Sequence, residues 1–526
     1  MFDEFKEMLE HHSDLKQHLF VRGFLLSDDG EIDLNAFPFY GNWQREKLGD
    51  NYYGYVHFKQ SVHYVDYKGK TFFLFGHAYN PFTMETDEEI ILKRIAEGYG
   101  TAEYQDRIDE MTGVFVYGVI INGEVQFLVD PSGMQSACYG YVDNHFYMSS
   151  HSQLIGDLCE LTMSDIAKKL VAYKWYYRVM GPYMPADLTQ FESIKRIVPN
   201  ILYTYSKGSF KHKRFYPLKD LPECKNEEEY NEVIRQGAEI LKNNMELVSR
   251  KWERPEISLA GGIDSNTTFA AANGIYDRFR TFSYVSTEKE TIDAKAAKAI
   301  AKRFRVRHNE YKIPEHTYHL KDYNETVRII DHNNGYIAKG KDNEYRKRVF
   351  LMQLLKADVE VKSWVSETIR AYWYKHYGRK SMPELSPKLF RNLYKIFIFN
   401  RSLAHETDKI FAKYIDDFEY RKIPAQYPPA DMHYNEVTWG SWGGMNISEM
   451  KIYADITFIY NNRKFLDLMF RVPLEKRISD QHHLDMKKLL NKDLYDMHIR
   501  VQNMKETKFR AFMLNVIFTI NSFLPF

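Results

Sequence analysis

The sequence predicts two unlike halves: an α+β half rich in antiparallel strands, then an α/β half with a parallel sheet and a helical C-terminal part. Three observations predict it. Between about Tyr52 and Tyr205, short runs of tyrosine, valine and phenylalanine are separated by turn residues. After residue 234 the order becomes strand, helix, strand, helix, the pattern of a parallel sheet covered by helices. Beyond Tyr318 the chain reads as mostly helical and highly charged.

The strand-like runs are YYGYVHF, TFFLFGHAY, GVFVYGVII, VQFLVD, HFYMSS and ILYTY, with hairpin turns at Asn122-Gly123 and Asp143-Asn144. An amphipathic stretch, DEEIILKRIAEGYG, interrupts them as a helix. The polar stretch 219–233 carries Pro222 and reads as a linker between a domain at 1–218 and a domain at 234–526. The helical stretch YNEVIRQGAEILKNNMELVSR then leads to a short strand at Ile257 to Leu259. A glycine turn, the apolar helix SNTTFAAANGI, the strand FRTFSYVS and the helix IDAKAAKAIAKRF follow in order.

Composition narrows the function classes. The 526 residues carry 72 basic and 71 acidic side chains, a net charge of +1, which argues against binding of a nucleic-acid backbone as the main activity. Hydrophobic content of 44% with 27% charged is that of a folded chain, long enough for two to four domains. Cys138, Cys159 and Cys224 lie far apart without metal-ligand spacing, which fits a reducing cytoplasm. No signal peptide opens the chain and no apolar run reaches the roughly 18 residues of a membrane span. The expectation is a cytoplasmic protein whose tail, from Phe512 to Phe526, docks on its own domain or on a partner subunit, as in a homodimer.

The segment that carries chemistry is Ile257-Ser258-Leu259-Ala260-Gly261-Gly262-Ile263-Asp264-Ser265-Asn266. A strand runs into two glycines and a helix starts at once. Glycines there let the backbone approach a phosphate, and the helix N-terminus offers free N–H groups and a positive dipole end. Ser265 adds a hydroxyl, and Asp264 makes sense if it holds magnesium between carboxylate and phosphates. The other reading is a glycine turn with an N-cap aspartate; the place after the first strand of a βαβ unit favours the phosphate site.

LAGGIDS resembles the pyrophosphate loop of the ATP pyrophosphatases, and the whole layout resembles the asparagine synthetase B superfamily, which includes β-lactam synthetase and the lasso-peptide macrolactam synthetases. FSYVSTEKETIDAKAAKAIAKRFRVRHNEYKI is similar to that superfamily's next strand and helix. GHAYNP at Gly76 to Pro81, TDEEIIL at Thr86 to Leu92, MTGVFVYGVI at Met111 to Ile120 and IKRIVPN at Ile194 to Asn200 are similar, in collinear order, to pieces of its glutaminase domain. The resemblance implies an Ntn-hydrolase-like, glutaminase-like antiparallel β-sandwich followed by an ATP-pyrophosphatase domain. It implies ATP and Mg²⁺ as cofactors. Ala260, Gly261, Gly262, Asp264 and Ser265 would form the nucleotide site, with Asp264 on the metal.

Departures from the pattern carry information. Glutamine-using members need a cysteine at residue two; this chain has Phe2, and Phe75 stands at the oxyanion-hole asparagine. The resemblance thus implies a degenerate glutaminase domain that does not hydrolyse glutamine. Ala260 replaces the loop's first serine, a loss of about 1 kcal/mol of binding. The second motif maps to Val361–Arg370, where Val365 and Thr368 stand at its acid and its aspartate. Glu367 is the candidate second metal ligand and Arg370 faces pyrophosphate, the two forming the candidate catalytic pair; as a helical i,i+3 surface pair they would do neither. Asn462 falls in a packing or pocket-wall segment, Lys505 is a weak match to a late phosphate-contacting lysine, the arginines of KDNEYRKRVF could meet an anionic substrate, and His11-His12 and His482-His483 read as surface pairs.

The implied activity is an ATP-dependent, AMP-forming carbon–nitrogen ligase. It would adenylate a small-molecule or peptide carboxylate and pass it to an amine, in natural-product, peptide or glycan tailoring. Two alternatives stay open: a degenerate nucleotide- or partner-binding protein, and an amidotransferase fed with ammonia by a separate amidase.

Overall fold

The computed structural model describes residues 2–177, 181–395, 397, 400–499 and 504–523. Its first strands are β1 (Phe24–Ser27), β2 (Trp43–Leu48), β3 (Tyr52–His57), β4 (Val62–Tyr67), β5 (Lys70–Tyr79) and β6 (Thr112–Ile121). The set continues with β7 (Glu124–Val129), β8 (Cys138–Val142), β9 (His145–Ser149), β10 (Ile194–Arg196), β11 (Ile201–Ser206) and β12 (Ser209–Arg214). They form two six-stranded sheets with antiparallel neighbours, ordered β10-β8-β9-β1-β3-β2 and β12-β11-β7-β6-β5-β4.

Both expected hairpin turns form. Asn122 and Gly123 sit at φ 49° and 81°, and Asp143 and Asn144 at 49° and 66°. Two left-handed residues in succession match the strand twist, and Asn, Asp and Gly tolerate that conformation best. The sheets face each other through rings: Phe24 stacks on Phe75 at 4.6 Å and Phe146 on Tyr205 at 4.4 Å. The outer face of β5 is covered by the helix Glu88–Gly98, which starts where the Asp87 carboxylate accepts the Glu89 and Ile90 N–H groups and which buries Ile91, Leu92 and Ile95. That cover is why TFFLFGHAY is apolar at successive positions rather than alternating.

The helix Glu227–Lys251 opens inside the stretch 219–233, because the Asn226 side chain accepts the Glu229 N–H at 2.9 Å. Five strands follow: β13 (Pro255–Ser258), β14 (Arg280–Val285), β15 (His308–Lys312), β16 (Val359–Val361) and β17 (Asp455–Thr457). They make one parallel sheet ordered β15-β14-β13-β16-β17. Three-residue strands such as β16 and β17 are too short to show periodicity, so the sequence reading passed over them.

The halves are bolted together by buried polar contacts. Arg214 and Glu436, both fully buried, pair at 2.8 Å, and losing one partner of such a pair costs roughly 3–5 kcal/mol. Asn462 caps the helix Arg463–Phe470 and donates to the carbonyls of Glu110 and Met111, which makes it an interface residue. The last helix, Met504–Phe523, docks on its own chain where Phe518 meets Tyr377 at 4.6 Å. No described helix is long and apolar enough to cross a membrane.

Candidate active site

The loop 259–262 leaves the C-terminal end of β13, the central strand of the parallel sheet, and enters the helix Ile263–Ala271. That edge is where open parallel sheets bind ligands. The helix anchors through fully buried Phe269 and Ala270; burying such a phenylalanine is worth about 2–3 kcal/mol. Ser265 ties the loop to the helix: its hydroxyl donates to Ala260 O at 3.0 Å, with Gly262 O at 3.2 Å, and accepts from Ala260 N at 3.2 Å. Gly261 N donates to Asp293 Oδ1 at 3.1 Å.

Gly262 has an ordinary φ of −74°, so backbone conformation does not require glycine there. A Cβ at that point would meet no atom within 4 Å. The loop therefore faces open space. It opens on a cleft of about 410 Å³ whose walls include Gly262, Asp264, Ser265, Lys289, Lys362 and Glu367.

The second segment follows β16 as a tight helical turn, Trp364–Arg370. Glu367 and Arg370 are not a surface pair, because the turn packs inward beside the loop and Arg370 is only 9% exposed. Arg370 donates from Nη1 to Asp264 Oδ2, and from Nε and Nη2 to the two oxygens of Asp480 at 2.8 and 3.0 Å. Ser366 donates to the other oxygen of Asp264, and Lys375 donates to Asp480. Glu367 instead accepts from the Tyr434 hydroxyl at 2.5 Å. Burial raises the Glu367 pKa, with the Asp264 charge adding to it. Burial, then the Arg370 charge, lowers Lys375 to about 8. Burial alone would raise Asp480, but its bonds and charges with Arg370 and Lys375 hold it below the carboxylate range.

His482 and His483 are both fully buried, not surface residues. The helix Gln481–Leu490 packs on the helix Ile263–Ala271, which brings His483 Nε2 to 3.6 Å from Asp264 Oδ1. Burial and the neighbouring Arg370 keep His483 neutral, its pKa far below the usual histidine value. Val365 and Thr368, at the substituted motif positions, are fully buried and take no place in the cleft wall. Asn446, on a later helix, accepts from Arg348 at 3.0 Å, so one arginine of KDNEYRKRVF serves packing. The Lys505 side chain lies outside the described residues.

Asp480, Lys375, Ser366 and Tyr434 were missed by sequence reasoning. Asp480 lies 110 residues from Arg370, and no local pattern marks it. Tyr434 opens a ten-residue π-helix, Tyr434–Gly443, a rare geometry enriched at functional sites that leaves no signature in residue spacing.

Asp264 and Glu367 reach the same cleft, yet the carboxylate expected to hold magnesium is closed by Ser366 on one oxygen and Arg370 on the other. Among the described residues no group of three or more His, Cys, Asp or Glu is placed to hold a metal ion. In this arrangement the donor set does not fit a resident divalent cation.

Residues 255–340, which contain this loop, match the family model of asparagine synthase. No curated protein matches the chain. Among solved structures the chain is similar to one titled structure of the allosteric regulatory enzyme of purine biosynthesis, at 10% identity over 48% of this chain and 57% of that one, TM-score 0.25. It is also similar to glutamine phosphoribosylpyrophosphate amidotransferase from B. subtilis complexed with ADP and GMP, at 9% identity over 69% and 74%, TM-score 0.23. The chain thus spans little more than half, 57%, of the first structure's length.

Proposed function

We propose that this protein is an ATP-dependent amide-forming ligase that adenylates a carboxylate and transfers it to an amine. The observation that carries the proposal is the open Gly261-Gly262 turn at the central strand edge, inside the segment that matches asparagine synthase. A carboxylate oxygen of the substrate attacks the α-phosphorus, and the bond to pyrophosphate breaks. The amine then attacks the acyl carbon, AMP leaves, and the amine loses a proton. The helix N-terminus at Ile263 receives phosphate oxygens, and Arg370 and Lys375 oppose the negative charge that develops on departing pyrophosphate.

Glutamine hydrolysis is not part of the proposal. Burial raises the Cys138, Cys159 and Cys224 thiols, Cys159 to about 11, which withholds the thiolate that such chemistry requires. Phe75 is fully buried against Phe24 rather than offering a polar donor. The strand-rich half would then be a glutaminase-like scaffold without that activity. A second reading, nucleotide binding without turnover, draws on the closed state of Asp264.

The test is pyrophosphate and AMP release from ATP with a pool of carboxylates and amines, wild type beside Asp264→Ala. Removing Asp264 strips Arg370 and Ser366 of their shared partner. Release should fall by about 100-fold or more. Unchanged release in the variant would sink the loop assignment.

A further inference from the structure

We infer that this cleft binds the phosphates of ATP, or pyrophosphate itself, without a bridging divalent metal, because Arg370 supplies the positive charge at Asp264. The inference rests on the nucleotide reading above and adds to it how the charge is balanced.

A bare carboxylate beside a polyphosphate repels it. Either a metal bridges the two, or a cation belonging to the protein neutralises the carboxylate beforehand. Here the second arrangement is built. Arg370 contacts Asp264, and a bidentate bond to Asp480 at 2.8 and 3.0 Å holds its guanidinium plane in place. Ser366 fixes the other Asp264 oxygen, so neither partner is free to turn away. Two carboxylates, Asp264 and Asp480, face two cations, Arg370 and Lys375, so the contacts among these four balance.

Cations also stand in the cleft wall itself. Lys289 and Lys362 line it, Lys362 paired with Glu360 at 2.6 Å. The phosphate thus meets a carboxylate already neutralised by Arg370, with these two lysines, the helix start at Ile263 and the open space over Gly262 around it. His483 approaches Asp264 at 3.6 Å but is held neutral by burial and cannot take over this task.

The experiment is calorimetric titration of the full chain with ATP and with inorganic pyrophosphate, once in EDTA and once in excess magnesium. Wild-type dissociation constants should agree within about threefold between the two media. Arg370→Gln should lose tenfold or more in EDTA and recover in magnesium, because a metal can then reach Asp264. Wild-type binding that is tenfold or more weaker in EDTA would overturn the inference and leave the proposed function standing. An Arg370→Gln protein that binds like wild type in EDTA would overturn it too. Wild type that binds in neither medium would overturn both this inference and the nucleotide reading. Should Arg370→Gln fail to fold by circular dichroism, the wild-type pair of titrations decides alone.

Discussion

Two glycine-bearing regions of this molecule look alike in sequence and differ in purpose. In the strand-rich half, Gly76 on β5 lies opposite Phe115 and Gly113 on β6 lies opposite Ala78, at φ of 104° and 149°. A Cβ on Gly76 would sit 2.2 Å from Val114 O, and one on Gly113 would sit 2.2 Å from His77 O. At Gly262 the φ is ordinary and nothing lies within 4 Å. The first pair is glycine because the protein's own backbone occupies the space. Gly262 stands in a place the protein leaves empty. A glycine demanded by neither conformation nor packing is a mark of a site.

That contrast can be broken by substitution. Gly76→Ala should cost the most, about 3 kcal/mol of stability, because a left-handed backbone and a backbone collision act together. Urea melts measure it, and a loss under about 1 kcal/mol would mean that β5 and β6 yield more easily than described. Gly262→Ala should change stability by less than about 0.5 kcal/mol. It should still weaken pyrophosphate binding by about tenfold, or 1.4 kcal/mol, since the new methyl stands where phosphate oxygens approach. Equal effects on stability and binding would erase the distinction between the two regions.

A gain should follow where the loop lost a hydroxyl. Ala260→Ser should tighten pyrophosphate binding about fivefold, the worth of about 1 kcal/mol. Calorimetry would show it, and no change would mean that position 260 does not point at the anion.

The charged side of the site carries a pH dependence. Lys375 falls from its ordinary 10.5 to about 8 in the folded chain. Between those values the unfolded chain holds a proton that the folded one releases. Its contribution to stability is therefore present above pH 10.5 and is lost as the pH falls through about 8. Wild type should lose stability relative to Lys375→Met over that window by roughly 3 kcal/mol. A difference that stays flat would show that the lysine is not desolvated.

The hairpins at Asn122-Gly123 and Asp143-Asn144, and the strand–glycine–helix passage from Ile257 to Ala271, were legible because short-range sterics set them. Part of the site could be read for the same reason: Gly261, Gly262, Asp264 and Ser265 are neighbours in the chain. Glu367 and Arg370 could be named but not paired. Their partners, Tyr434 at one and Asp264 and Asp480 at the other, lie 67 to 110 residues away. The His482-His483 reading went astray because adjacent histidines on an isolated helix look exposed, while here another helix covers them.

The sequence by itself determined the two-part architecture, the strand–glycine–helix loop and the absence of a cysteine at residue two, since periodicity, turn chemistry and residue identity are local properties. Only the tertiary structure decided what neutralises Asp264. Five parallel strands and the helices around them bring the segments at 264, 370, 375 and 480 to one place, and a buried charge takes whichever partner the packing sets beside it.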